Sequence, residues 1–212
     1  MHAPSVLIRP ALAALLLVFS SPWAKAQGVQ LITAAGEQAV LKDPGVRPIG
    51  GAHADVVIVE YFDYNCPYCK KLGPRLQALI GRDPGIAILY KDWPVLGPMS
   101  VYAARAALAA NWQGKYRDAH DALLAAPRFK TEDQVDAVLA KAGIDLARLH
   151  KDLDRHADDI AAMLARNDRE AGLLELQGTP GLLVGRQLAP GAPEDDVLDR
   201  MIAAARRSAA GR

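Results

Sequence analysis

Continuous apolar runs and helical stripes follow one another along the chain and assign most of it to elements. Val56-Val57-Ile58-Val59 is an uninterrupted β-branched run, the mark of a strand covered on both faces. Leu72, Leu76, Leu79 and Ile80 then recur at helical spacing, with Pro67 at a first-turn position and Pro74 placed to kink the helix. Asp83-Pro84-Gly85 is a turn, and Ile86 to Tyr90 reads as a second buried strand. From Pro98 to about Glu175 the pattern is helical throughout. Val101, Ala104, Leu108 and Trp112 share one face, and Thr131 with Gln134 forms a capping box ahead of Val135, Val138 and Leu139. Leu146, Leu149, Leu153, Ala157, Ile160 and Leu164 make one long stripe. Gly178-Thr179-Pro180-Gly181 breaks the helical pattern. Leu182-Leu183-Val184, a turn at Gly185-Arg186, and Gln187-Leu188 predict a hairpin. The last helix opens at Pro193 with Glu194, Asp195 and Asp196 and closes with Arg206 and Arg207, charges that suit both ends of its macrodipole.

The N-terminal stretch stands apart. His2 and Arg9 precede the apolar run Ala11 to Phe19, Ser20-Ser21-Pro22 break it, and Ala24-Lys25-Ala26 offers an A-x-A cleavage pattern. This is the layout of a secretory signal over residues 1–26, with the mature chain starting at Gln27. The alternative, a membrane anchor, is disfavoured because the apolar run falls short of the roughly 18 residues a spanning helix needs. No later run is long enough either, so the chain is expected to be exported, soluble and not itself membrane-spanning, in an oxidising compartment. Gln27 to Ala54, with its glycines and prolines among short apolar stretches, reads as a lead-in with little regular structure and a short strand near Val40.

Composition narrows the classes. The 212 residues carry 25 Lys+Arg against 24 Asp+Glu, a balance that argues against nucleic acid as a partner. A 51% hydrophobic content rules out a disordered chain, and two cysteines rule out a multiply stapled mini-protein.

Those two cysteines, Cys66-Pro67-Tyr68-Cys69, sit at a strand-to-helix junction. Cys66 falls at the helix start, where unpaired backbone N–H groups and the positive dipole end stabilise a thiolate. Cys69, one turn further in, is expected to be less exposed and less acidic. Thiol pKa values drop from about 8.5 into the range of about 3.5–7.5 at helix N-termini. A stabilised thiolate is a stabilised reduced form, which makes the disulfide more oxidising. Tyr68 adds at most one hydroxyl donor. Two other readings stay open. As a structural staple the four-residue ring is weak, about 2 kcal/mol against about 3 for a fifteen-residue loop. Half of a zinc site would need two further ligands, and His150 and His156 do not have ligand spacing. His53, His120, His150 and His156 therefore read as surface histidines, and Asp152, Asp154, Asp158 and Asp159 as a solvated helix face.

Glu60 lies in the apolar strand six residues before Cys66. Buried there, it would have a raised pKa suited to proton exchange with Cys69, and Lys91 is its candidate charge partner. Tyr61, Phe62, Tyr64 and Tyr68 are candidates to line a peptide groove.

Three blocks, Val57-Ile58-Val59-Glu60-Tyr61-Phe62-Asp63-Tyr64-Asn65-Cys66-Pro67-Tyr68-Cys69, Lys91-Asp92-Trp93-Pro94-Val95-Leu96-Gly97 and Gly178-Thr179-Pro180-Gly181, resemble the DsbA-like thiol:disulfide oxidoreductases. The resemblance implies an α/β thioredoxin-like fold, a mixed sheet flanked by helices, with an inserted all-helical subdomain. It divides the chain into a thioredoxin-like first part (55–97), the helical subdomain (98–176) and a second part (177–212). It implies that Cys66 and Cys69 cycle between dithiol and disulfide, that Pro180 is cis beside them, and that Glu60 is the acid beneath the pair. Thr179, Pro67 and Tyr68 are the implied substrate contacts. The sequence departs from the best-known pattern at Tyr68, where that motif has His, and at Thr179, a residue seen in isomerase-type and copper-tolerance-type relatives.

The expectation is therefore a periplasmic DsbA-like oxidase of unfolded or reduced proteins, with no external cofactor, no metal site and a membrane redox partner that resets the pair. A reductase or isomerase, or a copper-binding periplasmic thiol protein, is the alternative.

Overall fold

A computed structural model describes residues 28–42, 45 and 47–211. The signal-like segment and its cleavage site lie outside the described residues.

The strands are β1 (Gln30–Leu31), β2 (Ile49–Gly50), β3 (Val56–Phe62), β4 (Ile86–Asp92), β5 (Gly181–Val184) and β6 (Gln187–Pro190). The helices are α1 (Ala34–Leu41), α2 (Pro67–Arg82), α3 (Pro98–Ala110), α4 (Tyr116–Ala125), α5 (Glu132–Lys141), α6 (Leu146–Arg155), α7 (Ala157–Leu173) and α8 (Asp195–Ala210). The sheet runs β1-β6-β5-β3-β4-β2, with β3 and β4 parallel and every other pairing antiparallel. It is a mixed sheet flanked by helices, as the sequence predicts.

β3 and β4 lie at the centre because both faces of each are apolar and covered. On one face Ile58, Phe62, Ile88 and Tyr90 pack with Leu72, Leu76 and Leu79 of α2 and with Met201 of α8. On the other, Val59, Tyr61 and Leu89 pack with Val40, Trp93 and Ala171. Helices α3 to α7 stand between β4 and β5 in the chain. They are tied back at the end of β4, where Asn167 donates to the Asp92 carbonyl at 2.9 Å and the Trp93 indole donates to Asp168 at 2.9 Å. α8 is fastened by Arg206, whose guanidinium bridges Asp55 at 2.9 Å and Asp83 at 3.0 Å.

Several expectations change. Val40 is in a helix and not a strand: Thr33 Oγ1 caps the Gly36 N–H at 3.1 Å and starts α1, which buries Val40. The lead-in is also more regular than its composition suggests, since it supplies both edge strands, β1 and β2. The stripe from Leu146 to Leu164 divides into α6 and α7 at His156, whose ring stacks on Trp112 with centroids 4.0 Å apart. On α3 the buried face is the alanine set Ala103, Ala106, Ala107 and Ala110 together with Ala104 and Leu108, and Val101 is exposed. His120 is buried and not on the surface, and Asp152 is buried beside Arg148, at 3.4 Å. Half of the capping box forms as expected, Thr131 Oγ1 accepting from the Gln134 N–H at 3.4 Å, while Gln134 reaches back past the cap to accept from the Lys130 N–H at 2.8 Å.

Candidate active site

The sheet register brings distant segments to one place. β3 ends at Phe62, and β5 begins at Gly181, opposite Tyr61. The turn that leaves β3 and the segment that enters β5 are therefore neighbours, and these carry Cys66 and Thr179-Pro180. The Thr179–Pro180 peptide is cis, and the Cys66 thiol donates to the Thr179 carbonyl oxygen at 3.2 Å.

Cys66 is the N-cap residue of α2 in extended conformation, and Pro67 follows at the first helical position, where a missing N–H costs nothing. An N-cap side chain faces the unpaired N–H groups of the first turn, and those of Tyr68 and Cys69 act on this sulfur. The Cys66 pKa falls to about 5 from an ordinary value of 9.0. A hydrogen bond from Cys69 is the largest cause, followed among the lowering effects by the Thr179 side chain and those two N–H groups, while partial burial opposes them. The Thr179 carbonyl favours the protonated thiol, so the lowering comes from Cys69, the Thr179 side chain and the helix-start N–H groups.

Cys69 has the opposite environment. It is fully buried, and burial drives its pKa far upward, reinforced by its hydrogen bond to Cys66 and by the charge of Glu60. Both cysteines are free thiols. One helix turn thus holds an acidic sulfur just under the surface and a protonated one beneath it.

Glu60 points to the same side of β3. It is fully buried, its carboxyl oxygens have no hydrogen-bond partner among the described residues, and burial, with the nearby Cys66, raises its pKa to about 8. Lys91 is not its partner. The parallel register sets Glu60 opposite Tyr90 and Tyr61 opposite Lys91, so Lys91 belongs with the other face of the sheet, where it pairs with Glu170 at 2.9 Å.

Over residues 57–203 the chain matches the family model of the DSBA-like thioredoxin domain. It belongs to that family. A thioredoxin-like oxidoreductase from Silicibacter pomeroyi is 36% identical with a TM-score of 0.76, covering 80% of this chain and 97% of that one. The thiol-disulfide exchange protein alpha-DsbA2 from Wolbachia pipientis is 26% identical with a TM-score of 0.74, covering 80% of this chain and 94% of that one. Among curated proteins, a Na(+)/H(+) antiporter NhaA from Salinispora arenicola is 30% identical over 163 residues, 74% of this chain but 24% of its own length. The chain thus spans about a quarter of that antiporter.

This DsbA-like chain keeps other residues at the site that the sequence reading did not single out. Asp63, buried, closes the turn before Cys66: its carboxylate accepts from the Asn65 N–H at 2.7 Å and the Leu96 N–H at 2.9 Å, and its carbonyl accepts from the Cys66 N–H at 3.0 Å. Asn65 is buried too, and it binds the backbone of Phe129. Lys70 reaches the Leu123 carbonyl at 2.9 Å and is desolvated enough that its pKa falls to about 8. The Asp-x-Asn spacing was the available signal for the first two.

Tyr68 projects outward, 62% exposed, with the Lys71 ammonium 5.9 Å from its ring centroid. Tyr61, Phe62 and Tyr64 are buried and do not line an open groove. Among the described residues, no group of three or more His, Cys, Asp or Glu could hold a metal ion, and no helix is long and apolar enough to cross a membrane.

Proposed function

We propose that the protein is an exported, periplasmic thiol:disulfide oxidoreductase that oxidises reduced polypeptides through Cys66 and Cys69. The observation that carries this is the contrast between the two sulfurs: a thiolate held at the mouth of α2 and a thiol sealed beneath it.

In the oxidised enzyme a substrate thiolate attacks Cys66 Sγ. The Cys66–Cys69 bond breaks and a substrate–Cys66 mixed disulfide forms. Cys69 leaves as a thiolate in a buried site, so it must be protonated, and Glu60 supplies the proton because its carboxyl is still neutral near pH 7. A second substrate thiolate then attacks the substrate sulfur of the mixed disulfide. Cys66 departs as the better leaving group, stabilised by its helix-start donors. The substrate has lost two electrons and the enzyme pair has gained them. Thr179 and Pro180 offer backbone for strand-like pairing with the extended substrate, and the exposed Tyr68 and Pro67 form the adjoining surface.

The low pKa favours the oxidising direction. At pH 7 the reduced form carries Cys66 as a thiolate, which stabilises the dithiol relative to the disulfide. A membrane redox partner would return the pair to the disulfide. The signal-like N-terminus supports export.

Equilibration of the protein with glutathione buffers, combined with oxidation of a reduced, unfolded test protein, tests this reading. A potential well above that of a reducing thioredoxin, together with stoichiometric oxidation of the test protein, is expected. A strongly reducing potential overturns the oxidase assignment, and tight stoichiometric copper(I) binding without exchange activity would favour a metal-handling role.

A further inference from the structure

A cleft of about 350 Å³ lies at the turn that precedes Cys66. Its floor is Asn65, the residue before the acidic cysteine, and Phe129; Leu96, Pro98 and Met99 form an apolar wall. Arg128 and Lys130, both exposed, stand at its rim. Neither forms an ion pair with any described residue. The acids next in the chain, Glu132 and Asp133, sit in the first turn of α5.

The cleft is fixed in place relative to the reacting sulfur. Asn65 and Phe129 bind each other twice: the Phe129 N–H donates to Asn65 Oδ1 at 2.8 Å, and Asn65 Nδ2 donates to the Phe129 carbonyl at 3.4 Å. These bonds join residues 64 positions apart and hold the basic loop against the turn that presents Cys66.

We propose that this cleft is a substrate subsite that takes an apolar side chain next to the reacting cysteine and an acidic residue beside it, selecting acid-flanked cysteines for exchange. The inference rests on the exchange reading given above and names its substrate class. The chain as a whole is close to neutral, at +1, so its overall field does not attract acidic peptides; the discrimination is local to Arg128 and Lys130. The apolar wall supplies binding by burial, with Leu96 42% exposed before anything docks.

Two dithiol peptides, blocked at both ends, provide the test. Each carries Phe beside its first cysteine, flanked by Glu in one peptide and by Lys in the other. Second-order rates of oxidation by the disulfide form are measured at low and high salt and normalised to the rates of the same peptides with hydroxyethyl disulfide, which removes differences in peptide thiol acidity. The acidic peptide is expected to react roughly tenfold faster at low salt. The gap should close at high salt and in the double variant Arg128→Gln/Lys130→Gln, while oxidation of dithiothreitol stays unchanged. Replacing the peptide Phe by Ser should slow both peptides. Equal normalised rates in the unsubstituted protein, or a preference that survives in the double variant, would overturn the subsite. If neither peptide nor dithiothreitol reduces the Cys66–Cys69 pair, the exchange reading fails and the subsite with it.

Discussion

Asp63 Oδ1 accepts a hydrogen bond from the Ser100 hydroxyl at 2.7 Å, inside the protein and across 37 positions of sequence. The same carboxylate holds the Asn65 and Leu96 N–H groups. One buried acid therefore joins the turn before Cys66 to the start of α3. Asp63→Ala strands three donors and is expected to cost about 3 kcal/mol or more in urea unfolding, since each buried unsatisfied group costs about 1–3. Because the turn also sets where α2 begins, the Cys66 pKa should rise in that variant. Asp63→Asn, which keeps one acceptor oxygen for Asn65 and Ser100 but faces the Leu96 N–H with an amide NH2, should restore only part of the stability. A full-strength fold and an unmoved thiol pKa in Asp63→Ala would contradict this role.

Glu60 makes stability depend on pH in a direction opposite to most acids. Its folded pKa, about 8, lies above the ordinary value of 4.5, so the unfolded chain releases its proton first. Stability is then lost as pH rises from about 4.5 through about 8, and the penalty is constant above that. Glu60→Gln should remove this dependence, converging with the unsubstituted protein near pH 5 and exceeding its stability at pH 9 by up to about 5 kcal/mol. The same variant should slow formation of the mixed disulfide, because Cys69 loses its proton donor. Denaturation curves at several pH values, with stopped-flow exchange rates, check both.

The reduced and oxidised forms should differ in stability in a way that follows Cys66. Its folded pKa is depressed from 9.0 to about 5, so its contribution is complete above pH 9 and disappears as pH falls through 5. The advantage of the dithiol form over the disulfide form is therefore expected to shrink steadily from pH 8 to pH 5. Parallel thermal melts of the two forms measure it; a gap that does not change over that range would contradict a stabilised thiolate.

His120 is packed in the core, with its Nδ1 3.2 Å from the Tyr64 hydroxyl and its ring 3.9 Å, centroid to centroid, from Tyr90. Burial lowers its pKa to about 3, so it is neutral at ordinary pH. His120→Ala should lose about 3 kcal/mol or more, as other large-to-small core changes do, with little change in the pH profile of exchange. A profile shifted near neutrality would instead assign His120 a proton-transfer role.

The central strands, α2, the hairpin and α8 were legible because each has a period or a punctuating residue that only one element satisfies. Cys66 and Cys69 were legible for the same local reason, a strand end meeting a helix start. What escaped is tertiary. Lys91 and Glu60 are near in sequence pattern, yet the parallel register puts them on opposite faces of the sheet. His120 sits in the polar run Tyr116-Arg117-Asp118-Ala119-His120, and only the packing of α4 against Phe62 and Tyr90 buries it. The cleft at the turn before Cys66 is made by Asn65, Leu96 and Phe129, three segments whose meeting no local pattern announces. Val40 departs from the strand that its β-branched side chain favours because a Thr33 cap and six residues of helix precede it.

Ultraviolet titration of the reduced protein, compared with Cys66→Ser, measures the thiolate directly. One thiol should ionise with a midpoint near pH 5, that step should vanish in Cys66→Ser, and the second thiol should stay protonated through pH 9. A first midpoint near the ordinary value of 9, or an acidic step that persists without Cys66, would contradict the assignment of this sulfur as the reacting one.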